Sequence, residues 1–378
     1  MTNSKLVFIL PELDTQTSNH YWHIYELLQE IGKNIDVFLF AEQGKFVPKK
    51  GTIKKIYIQK FHCLPIRLME RWVVFLFLNF QGYRVFYVHQ SIMSSIIVSV
   101  LGHLFGAKTF FWHCGKIHIY EKELGRKNWL FRLNLKLIDY LVTAPLEMKK
   151  YYQKNFAVPA RKIKLFPGWV NIQRFRKVDQ GKVNYLRKKL GLGNKKVILF
   201  VHWLSPRKGS RNLVEIVTQA LQKRNDLFFV IVGIGPDFQW LKRELAKRNL
   251  LKSVWMVGAI PNQKIPLYLR MADVFILPSQ EEELGRVHLE AMAAEVPIVA
   301  FATEGSRGLL SKAQKRLMIA KGNIKEFIEA MEKALRKKEF FIKLGQKQVR
   351  QYSIKNGTSN FLRLIGKSHE TRVNTSVI

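Results

Sequence analysis

The sequence contains little cysteine and little acidic charge. Two cysteines among 378 residues, Cys63 and Cys114, are too few for a disulfide framework and lack the spacing of metal ligands. We therefore expect a reducing, cytoplasmic compartment. Only 28 Asp and Glu residues stand against 63 Lys and Arg residues, which gives a formal net charge of +35. Such an excess favours polyanionic surroundings: nucleic acid, an anionic membrane surface or phosphorylated substrates.

The sequence also lacks the hydrophobic segments typical of secreted or membrane-spanning chains. The first apolar run, residues 6–10, is short and ends at Pro11, so we expect no signal peptide. Residues 88–107 carry no formal charge and have the length of a membrane span, but histidines and serines interrupt them. We predict a strand end followed by a buried helix.

A second apolar run, residues 72–80, leaves two interpretations open. It is too short to span a bilayer, and Arg67, Arg71 and Arg84 flank it. It fits an ordinary core helix, and it also fits a surface helix that lies on anionic lipid.

The dominant pattern is an alternation of short apolar runs with helical periodicity. The composition, with 47% hydrophobic and 24% charged residues, is that of a globular protein, and the length suggests two domains. Continuous apolar runs indicate strands covered on both faces, and their alternation with helices predicts βαβ units and parallel sheets. The predicted strands are 6–10, 36–40, 55–58, 85–88, 109–112, 140–143, 162–166, 197–201, 227–232, 254–257, 274–277 and 298–301.

A polar, basic segment, residues 177–194, separates the two series of strands and is the best candidate linker. The predicted fold class is therefore α/β, with two doubly wound Rossmann-like domains that face each other across a cleft. Ligands in such sheets bind at the carboxyl ends of the strands.

The strongest local signal, residues 278–294, follows the predicted strand 274–277 and runs into a helix. Gly285 permits a close backbone approach at the turn, and the N–H groups of Arg286 and Val287 then open a helix N-terminus that suits a phosphate. Glu290, one turn further, can accept hydrogen bonds from ribose hydroxyls, and Glu282 can reach a sugar hydroxyl. The alternative is an acidic segment that only complements the helix dipole.

These residues resemble a known family. Glu282 and Glu290, with seven residues between them, look like the E-x7-E motif of GT-B glycosyltransferases of family 4 (glycosyl transferases group 1). Further similar segments follow in the right order, and the resemblance is strong over residues 195–305. They are the phosphate-loop-like segment 204–209, the G-x-G-P turn 232–236, Gly258, the segment 272–274 and the pair 278–279.

The resemblance implies a retaining sugar transfer from a nucleotide-sugar donor, without metal or other cofactor. The diphosphate that leaves gains negative charge, and preorganised positive groups stabilise it. The expected catalytic residues are Glu282, His113 and Lys208. The expected donor-binding residues are Arg207, Gly285, Arg286, Val287, Glu290, Gly258 and Ile260.

His113 is assigned because it ends the predicted strand 109–112, as a histidine near the donor sugar does in the family. The alternative is a buried histidine with satisfied hydrogen bonds. His89 ends the strand 85–88 in a similar way, and we interpret it as structural.

The resemblance also implies the domain roles. Residues 1–180 are expected to form the acceptor-side domain and 181–345 the nucleotide-sugar-binding domain. Residues 346–366 are expected to form a helix that packs back on the first domain, followed by a frayed tail, 367–378.

The sequence departs from the family pattern at four places. The loop 11–19 after the first strand has no glycine where the family has two. His202 and Glu283 replace family glycines, and Trp203 replaces an arginine that binds phosphate.

The sequence thus supports a glycosyltransferase that uses a lipid-linked or polysaccharide acceptor at the cytoplasmic membrane face. One alternative is a catalytically degenerate, nucleotide-binding member. The other is a nucleic-acid-binding protein, but the sequence has no RNP-like aromatic pattern, zinc knuckle or helix-turn-helix, so no nucleic-acid partner is expected.

Overall fold

The computed structural model describes residues 5–16, 18, 21–116 and 128–366, which form two α/β domains. Each domain is built on one parallel sheet. The first sheet has the order β3-β2-β1-β4-β5-β6-β7 and the second the order β10-β9-β8-β11-β12-β13. The strands are β1 Lys5–Leu10, β2 Asp36–Ala41, β3 Lys55–Ile58, β4 Val85–His89, β5 Lys108–Trp112, β6 Tyr140–Thr143, β7 Ile163–Leu165, β8 Lys196–Val201, β9 Leu227–Val232, β10 Val254–Gly258, β11 Val274–Leu277, β12 Ile298–Phe301 and β13 Met318–Ile319.

The predicted fold class is confirmed. Every predicted strand is present with bounds within one residue of the expectation. Only β13 was not predicted among the described strands, because two residues are too few to give an apolar run. The central strands are buried on both faces, which explains their continuous apolar sequences.

Helices cover both faces of each sheet. They are α1 Trp22–Ile31, α2 Leu64–Phe80, α3 Ile92–Phe105, α4 Asn128–Leu137, α5 Leu146–Phe156, α6 Ile172–Arg176, α7 Gln180–Lys189, α8 Ser210–Lys223, α9 Phe238–Lys247, α10 Ile265–Met271, α11 Arg286–Ala293, α12 Glu304–Leu309, α13 Ile324–Arg336, α14 Lys338–Val349 and α15 Ile354–Leu364. Short 3-10 helices occupy Ala160–Lys162, Pro206–Lys208, Leu251–Ser253, Asn262–Lys264, Gln314–Leu317 and Arg350–Tyr352. In the described part of the chain, no helix combines the length and the apolar character needed to cross a bilayer.

The uncharged segment 88–107 forms the end of β4 and the buried helix α3, as the sequence indicated. The apolar run 72–80 is the second half of α2. One side of α2 is buried in the first domain through Phe75 and Leu78, while other apolar side chains of the helix are exposed.

The chain passes between the domains twice. The first passage lies before Val170 and the second after Val349, whereas the sequence predicted boundaries at 180/181 and 345/346. Val170 and Phe175 already belong to the core of the second domain. Val349, near the end of α14, also belongs to that core, so the return to the first domain begins after α14. Polarity along the sequence marks the linker, but packing decides which domain a segment joins.

Helix α15 packs on the first domain. Phe361 is fully buried, and its ring lies 4.9 Å from that of Tyr87 and 6.1 Å from that of Phe8, measured between centroids. Tyr87 and Phe8 belong to the central strands β4 and β1. The expected tail, 367–378, lies outside the described residues.

We predict that Phe361→Ala lowers the free energy of unfolding by about 3–5 kcal/mol, because it leaves a cavity between α15 and the sheet. Chemical denaturation followed by far-UV circular dichroism measures this change. Phe340→Ala on α14 is the matched control, because Phe340 is 48% exposed. Equal losses in both variants would show that α15 does not stabilise the first domain.

Candidate functional site

A cavity of about 370 Å³ lies between the domains, at the carboxyl ends of both sheets. Parallel sheets place their ligand sites at this edge. The first domain contributes His23, His89, Gln90, Trp112, Cys114 and Trp169 to the wall, among others. The second domain contributes His202, Trp203, Ile260, Glu282, Glu283, Arg286, Val287 and Glu290, among others.

Two loops of the second domain pack together beneath this cavity. The backbone carbonyl of Arg207 accepts hydrogen bonds from the N–H groups of Gln280, at 2.9 Å, and Glu281, at 3.2 Å. Gly209, which follows in the left-handed region at φ +80°, lies against the Pro278 carbonyl. A Cβ atom there would come within 1.9 Å of that oxygen, so only glycine permits this contact.

A buried ion pair joins these loops. Lys208 Nζ donates to Glu282 Oε2 at 2.7 Å and to the Glu281 carbonyl at 3.1 Å. His202 Nε2 lies 3.1 Å from the same Glu282 oxygen. Lys208 and Glu282, two of the three expected catalytic residues, are therefore in direct contact.

The protonation of Glu282 and His202 follows from these contacts. Burial alone would raise the pKa of Glu282, but the Lys208 charge and the hydrogen bonds from His202 and Lys208 hold that pKa well below its usual range. Burial, followed by the Lys208 charge, lowers the pKa of His202. His202 Nδ1 accepts a hydrogen bond from the Trp203 N–H at 2.8 Å, so Nε2 carries the proton and donates to Glu282.

Arg207 and Lys208 do not line the cavity wall directly. Arg207 Nη1 is paired with Glu283 Oε1 at 3.1 Å, and Lys208 is paired with Glu282. Glu282 and Glu283 thus neutralise Lys208 and Arg207, the two cations of the loop 204–209. We expected a pocket with excess positive charge, but the structure shows one in which these cations and carboxylates are balanced.

Helix α11 presents its N-terminus to the cavity. Gly285 adopts φ +64° immediately before the helix, and a Cβ atom there would lie 2.9 Å from Leu309 and 3.1 Å from the Gly305 carbonyl. The first N–H groups of a helix have no partners within it. Gly285 therefore sets a tight turn that aims the N–H groups of the first turn at the cleft.

Arg286, Val287 and Glu290 all line the cavity from this helix. Arg286 Nη2 donates to Glu290 Oε1 at 2.6 Å, one turn apart. The other terminal nitrogen of Arg286, Nη1, is buried and has no hydrogen-bond partner within the described residues. The pair thus orients the Glu290 carboxylate and leaves a buried donor in the cavity wall.

Ile260 and Gly258, the two expected donor-binding residues at or after the end of β10, differ in their position relative to the cavity. Ile260 lines the cavity. Gly258 ends the strand at φ +80°, and its carbonyl accepts from the Gly233 N–H at 2.8 Å, outside the wall. Its donor-binding role stays a prediction.

His113 does not line the cavity in the described structure. Its ring stacks near Phe111, lies against Phe131 and is hydrogen-bonded through Nδ1 to the Tyr152 hydroxyl. Because side chains alternate along a strand, His113 follows Phe111 to the side opposite Trp112, which does line the cavity. Burial lowers the pKa of His113 to about 4. One ring nitrogen is thus hydrogen-bonded away from the cavity, and the catalytic role of His113 stays a prediction.

Sequence reasoning missed several wall residues, among them His89 and His202. His89, which we interpreted as structural, lines the cavity, and its ring stacks on Trp112 with centroids 5.8 Å apart. His202 entered the sequence analysis only as a departure from the family pattern. Its position directly after β8, at the carboxyl edge of the sheet, is the signal that identifies it.

A polar network ties the two domains beside the cavity. Arg174 on α6 pairs with Glu26 on α1 at 3.3 Å and donates to the Asn262 side-chain oxygen at 2.8 Å. Asn262 lines the cavity. Among the described residues, no three His, Cys, Asp or Glu side chains are grouped in a way that could hold a metal ion.

The two domains around one cleft have the GT-B fold. The structure of Anabaena HepE in complex with UDP-glucose is similar, with a TM-score of 0.77 and 14% identity over 96% of this chain and 99% of that one. At this identity the likeness concerns the fold.

Residues 183–355 match the model of the family described as glycosyl transferases group 1. This match lies in the second domain and ends at the start of α15. The 2-deoxystreptamine glucosyltransferase of Streptomyces kanamyceticus is 31% identical over 40% of this chain and 40% of its own length. The GDP-mannose-dependent alpha-(1-6)-phosphatidylinositol monomannoside mannosyltransferase of Mycolicibacterium smegmatis is 30% identical over 42% of this chain and 44% of its own. The match thus spans less than half of either relative.

We predict that Glu282 makes stability depend on pH in the acid range. Because the pKa of Glu282 is lower in the folded than in the unfolded chain, its stabilising contribution is complete above about pH 4.5 and is lost as the pH falls through the folded pKa. The difference in unfolding free energy between wild type and Glu282→Gln should therefore be large near neutral pH and shrink in acid.

Urea titrations from about pH 3 to 7 measure this difference. Glu329→Gln is the control, because Glu329 is exposed on α13. A difference between wild type and Glu282→Gln that stays constant across the range would contradict the prediction.

Proposed function

We propose that the protein is a retaining glycosyltransferase that moves a sugar from a nucleotide-sugar donor to a lipid-linked or polysaccharide acceptor. One observation carries the proposal: Glu282, the N-terminus of α11 and Glu290 face a single cleft between the domains. The match of residues 183–355 to the model of glycosyl transferases group 1 supports the reaction class.

The second domain holds the donor in this proposal. The N-terminus of α11 offers backbone N–H groups and a positive dipole end to the diphosphate. Glu290, oriented by Arg286, accepts hydrogen bonds from the ribose hydroxyls. Trp203 and Ile260 provide apolar surface in the wall for the base.

Lys208 stabilises the leaving diphosphate. A lysine ammonium has three N–H donors. Two of them serve the Glu281 carbonyl and Glu282, which leaves one for a phosphate oxygen. Arg207 lies beside Lys208 on the same short helix and, in this proposal, exchanges its Glu283 partner for a phosphate oxygen when the donor binds. Lys208, Arg207 and the N-terminus of α11, and not a metal ion, counter the charge that develops as the anomeric bond breaks.

Glu282 acts at the donor sugar. Its lowered pKa keeps the carboxylate ionised at neutral pH, so it accepts hydrogen bonds from sugar hydroxyls and stabilises positive charge at the anomeric carbon. His202 holds the carboxylate in place through its Nε2 proton.

The first domain receives the acceptor. Its wall at the cleft is formed in part by His89, Gln90 and Trp112, which combine hydrogen-bonding groups with aromatic surface. The name of the mycobacterial relative states a phosphatidylinositol-based acceptor, which supports a lipid-linked acceptor here. The net charge of +35 suits work at an anionic cytoplasmic membrane face.

We predict that Glu290→Ala weakens donor binding about 10- to 100-fold, because hydrogen bonds to a charged group are worth about 1.5–3 kcal/mol. Calorimetric titration with a panel of nucleotide sugars, including UDP-glucose and GDP-mannose, measures Kd. Glu329→Ala on α13 is the control. Unchanged affinity for the true donor would remove Glu290 from the donor site.

We predict that Lys208→Ala lowers kcat about 100-fold or more, with a smaller change in KM, because the lysine acts mainly on the developing charge. Steady-state transfer or donor hydrolysis measures both constants. Lys252→Ala is the matched control, because Lys252 also lies on a 3-10 helix but is exposed. If wild type binds donors and releases no sugar with any of them, the chain is a degenerate nucleotide-binding member and the catalytic proposal fails.

A further inference from the structure

The first domain carries a large exposed apolar surface that the cleft does not use. On α2, side chains at intervals of three or four residues form a stripe of exposed large apolar groups. The stripe consists of Ile66, Met69, Val73, Phe77 and Phe80, with Leu64 and Trp72 beside it. The opposite side of the helix is buried in the core through Phe75 and Leu78. The side chains of the stripe therefore take no part in packing the core.

This surface continues onto the neighbouring helices. The ring of Phe80 meets that of Phe105 on α3 with centroids 5.2 Å apart, and Leu104 next to it is 74% exposed. Helix α4 packs against α3 and adds exposed Trp129 and Leu133. We call this set of side chains on α2, α3 and α4 the apolar face. Contiguous apolar patches on monomeric proteins rarely exceed a few hundred Å², and larger ones mark interaction sites.

The charge around the apolar face has one sign. Helices α3 and α4 contain no acidic residue, and α2 contains only Glu70. The Glu70 carboxylate is buried and accepts hydrogen bonds from the Tyr57 hydroxyl and from the N–H groups of Lys60 and Phe61. The exposed charged side chains on and beside the three helices are basic: Arg84, Lys108, Arg132 and Lys136.

We propose that the apolar face docks on an anionic lipid bilayer. Apolar side chains enter the boundary between headgroups and acyl chains, while the basic side chains around them meet the anionic headgroups. A second copy of the chain fits less well, because a two-fold interface would bring basic groups against basic groups. The inference deepens the proposed function by naming the surface that contacts the membrane.

The position of α2 connects this surface to the cleft. Helix α2 follows β3, so its first turn lies at the carboxyl edge of the first sheet, where the cavity opens. The exposed side chains of Phe61 and Leu64 lie at that end, and Phe80 lies at the far end. A protein docked through the apolar face therefore holds the rim of its cleft beside the membrane surface, within reach of an acceptor anchored in lipid.

Vesicle co-sedimentation of the full chain tests the proposal. We expect wild type to bind vesicles of phosphatidylcholine with phosphatidylglycerol, to bind pure phosphatidylcholine vesicles less, and to lose affinity as salt rises. The double variant V73E/F77E should lose about tenfold or more in affinity for the anionic vesicles, since it places two negative charges in the stripe. The milder V73S/F77S should lose less, which guards against a folding defect.

Phe340→Glu is the matched control, because Phe340 is an exposed aromatic residue of the second domain and should leave binding unchanged. Donor hydrolysis without vesicles is measured for every variant, and V73E/F77E should retain it.

Failure of wild type to bind anionic vesicles, or equal binding by V73E/F77E, overturns the proposal. Light scattering that shows a wild-type dimer and a V73E/F77E monomer, without vesicle binding, would assign the face to self-association instead. Vesicle binding by a wild type that neither hydrolyses nor transfers sugar would refute the proposed function but support the docking surface.

Discussion

The buried ion pair between Lys208 and Glu282 organises the candidate site. A buried charge without a partner is costly, so each of these side chains fixes the position of the other. The pair holds together two loops that come from distant parts of the sequence. It also places Glu282 on the cavity wall and, through the same carboxylate oxygen, determines which nitrogen of His202 carries the proton. The site is thus preorganised by opposite charges in contact.

Acidic residues pair with the cations near the cleft, so the site is not a pocket with excess positive charge. The chain has a large excess of positive charge, but the cations closest to the cleft are paired with Glu282, Glu283 and Glu290. The excess therefore lies on the outer surface, where it attracts polyanions over a longer range. The proposed recognition of a diphosphate at the site therefore relies on directed donors, which are the helix N-terminus and individual N–H groups.

The sequence predicted the fold more fully than the site, for physical reasons. A strand buried on both faces must be apolar throughout, so every such strand was visible in the sequence as a run. The turn at Gly285 and the spacing from Glu282 to Glu290 were visible because they are local. The orientation of His113 was not, because a strand-end position specifies the edge of the sheet but not which side the residue faces. His202 was overlooked because its partner Glu282 lies 80 residues away in the chain.

The two passages of the chain between the domains have a mechanical consequence. They run side by side, since the Val170 N–H donates to the Tyr352 carbonyl at 2.8 Å and Val170 forms a bridge with Ser353. Two adjacent covalent connections between domains define a hinge axis. Rotation about that axis changes the width of the cleft and keeps this hydrogen bond, whereas sliding or twisting of one half against the other would break it. The covalent path of the backbone thus favours rotation about this axis over other relative motions of the halves.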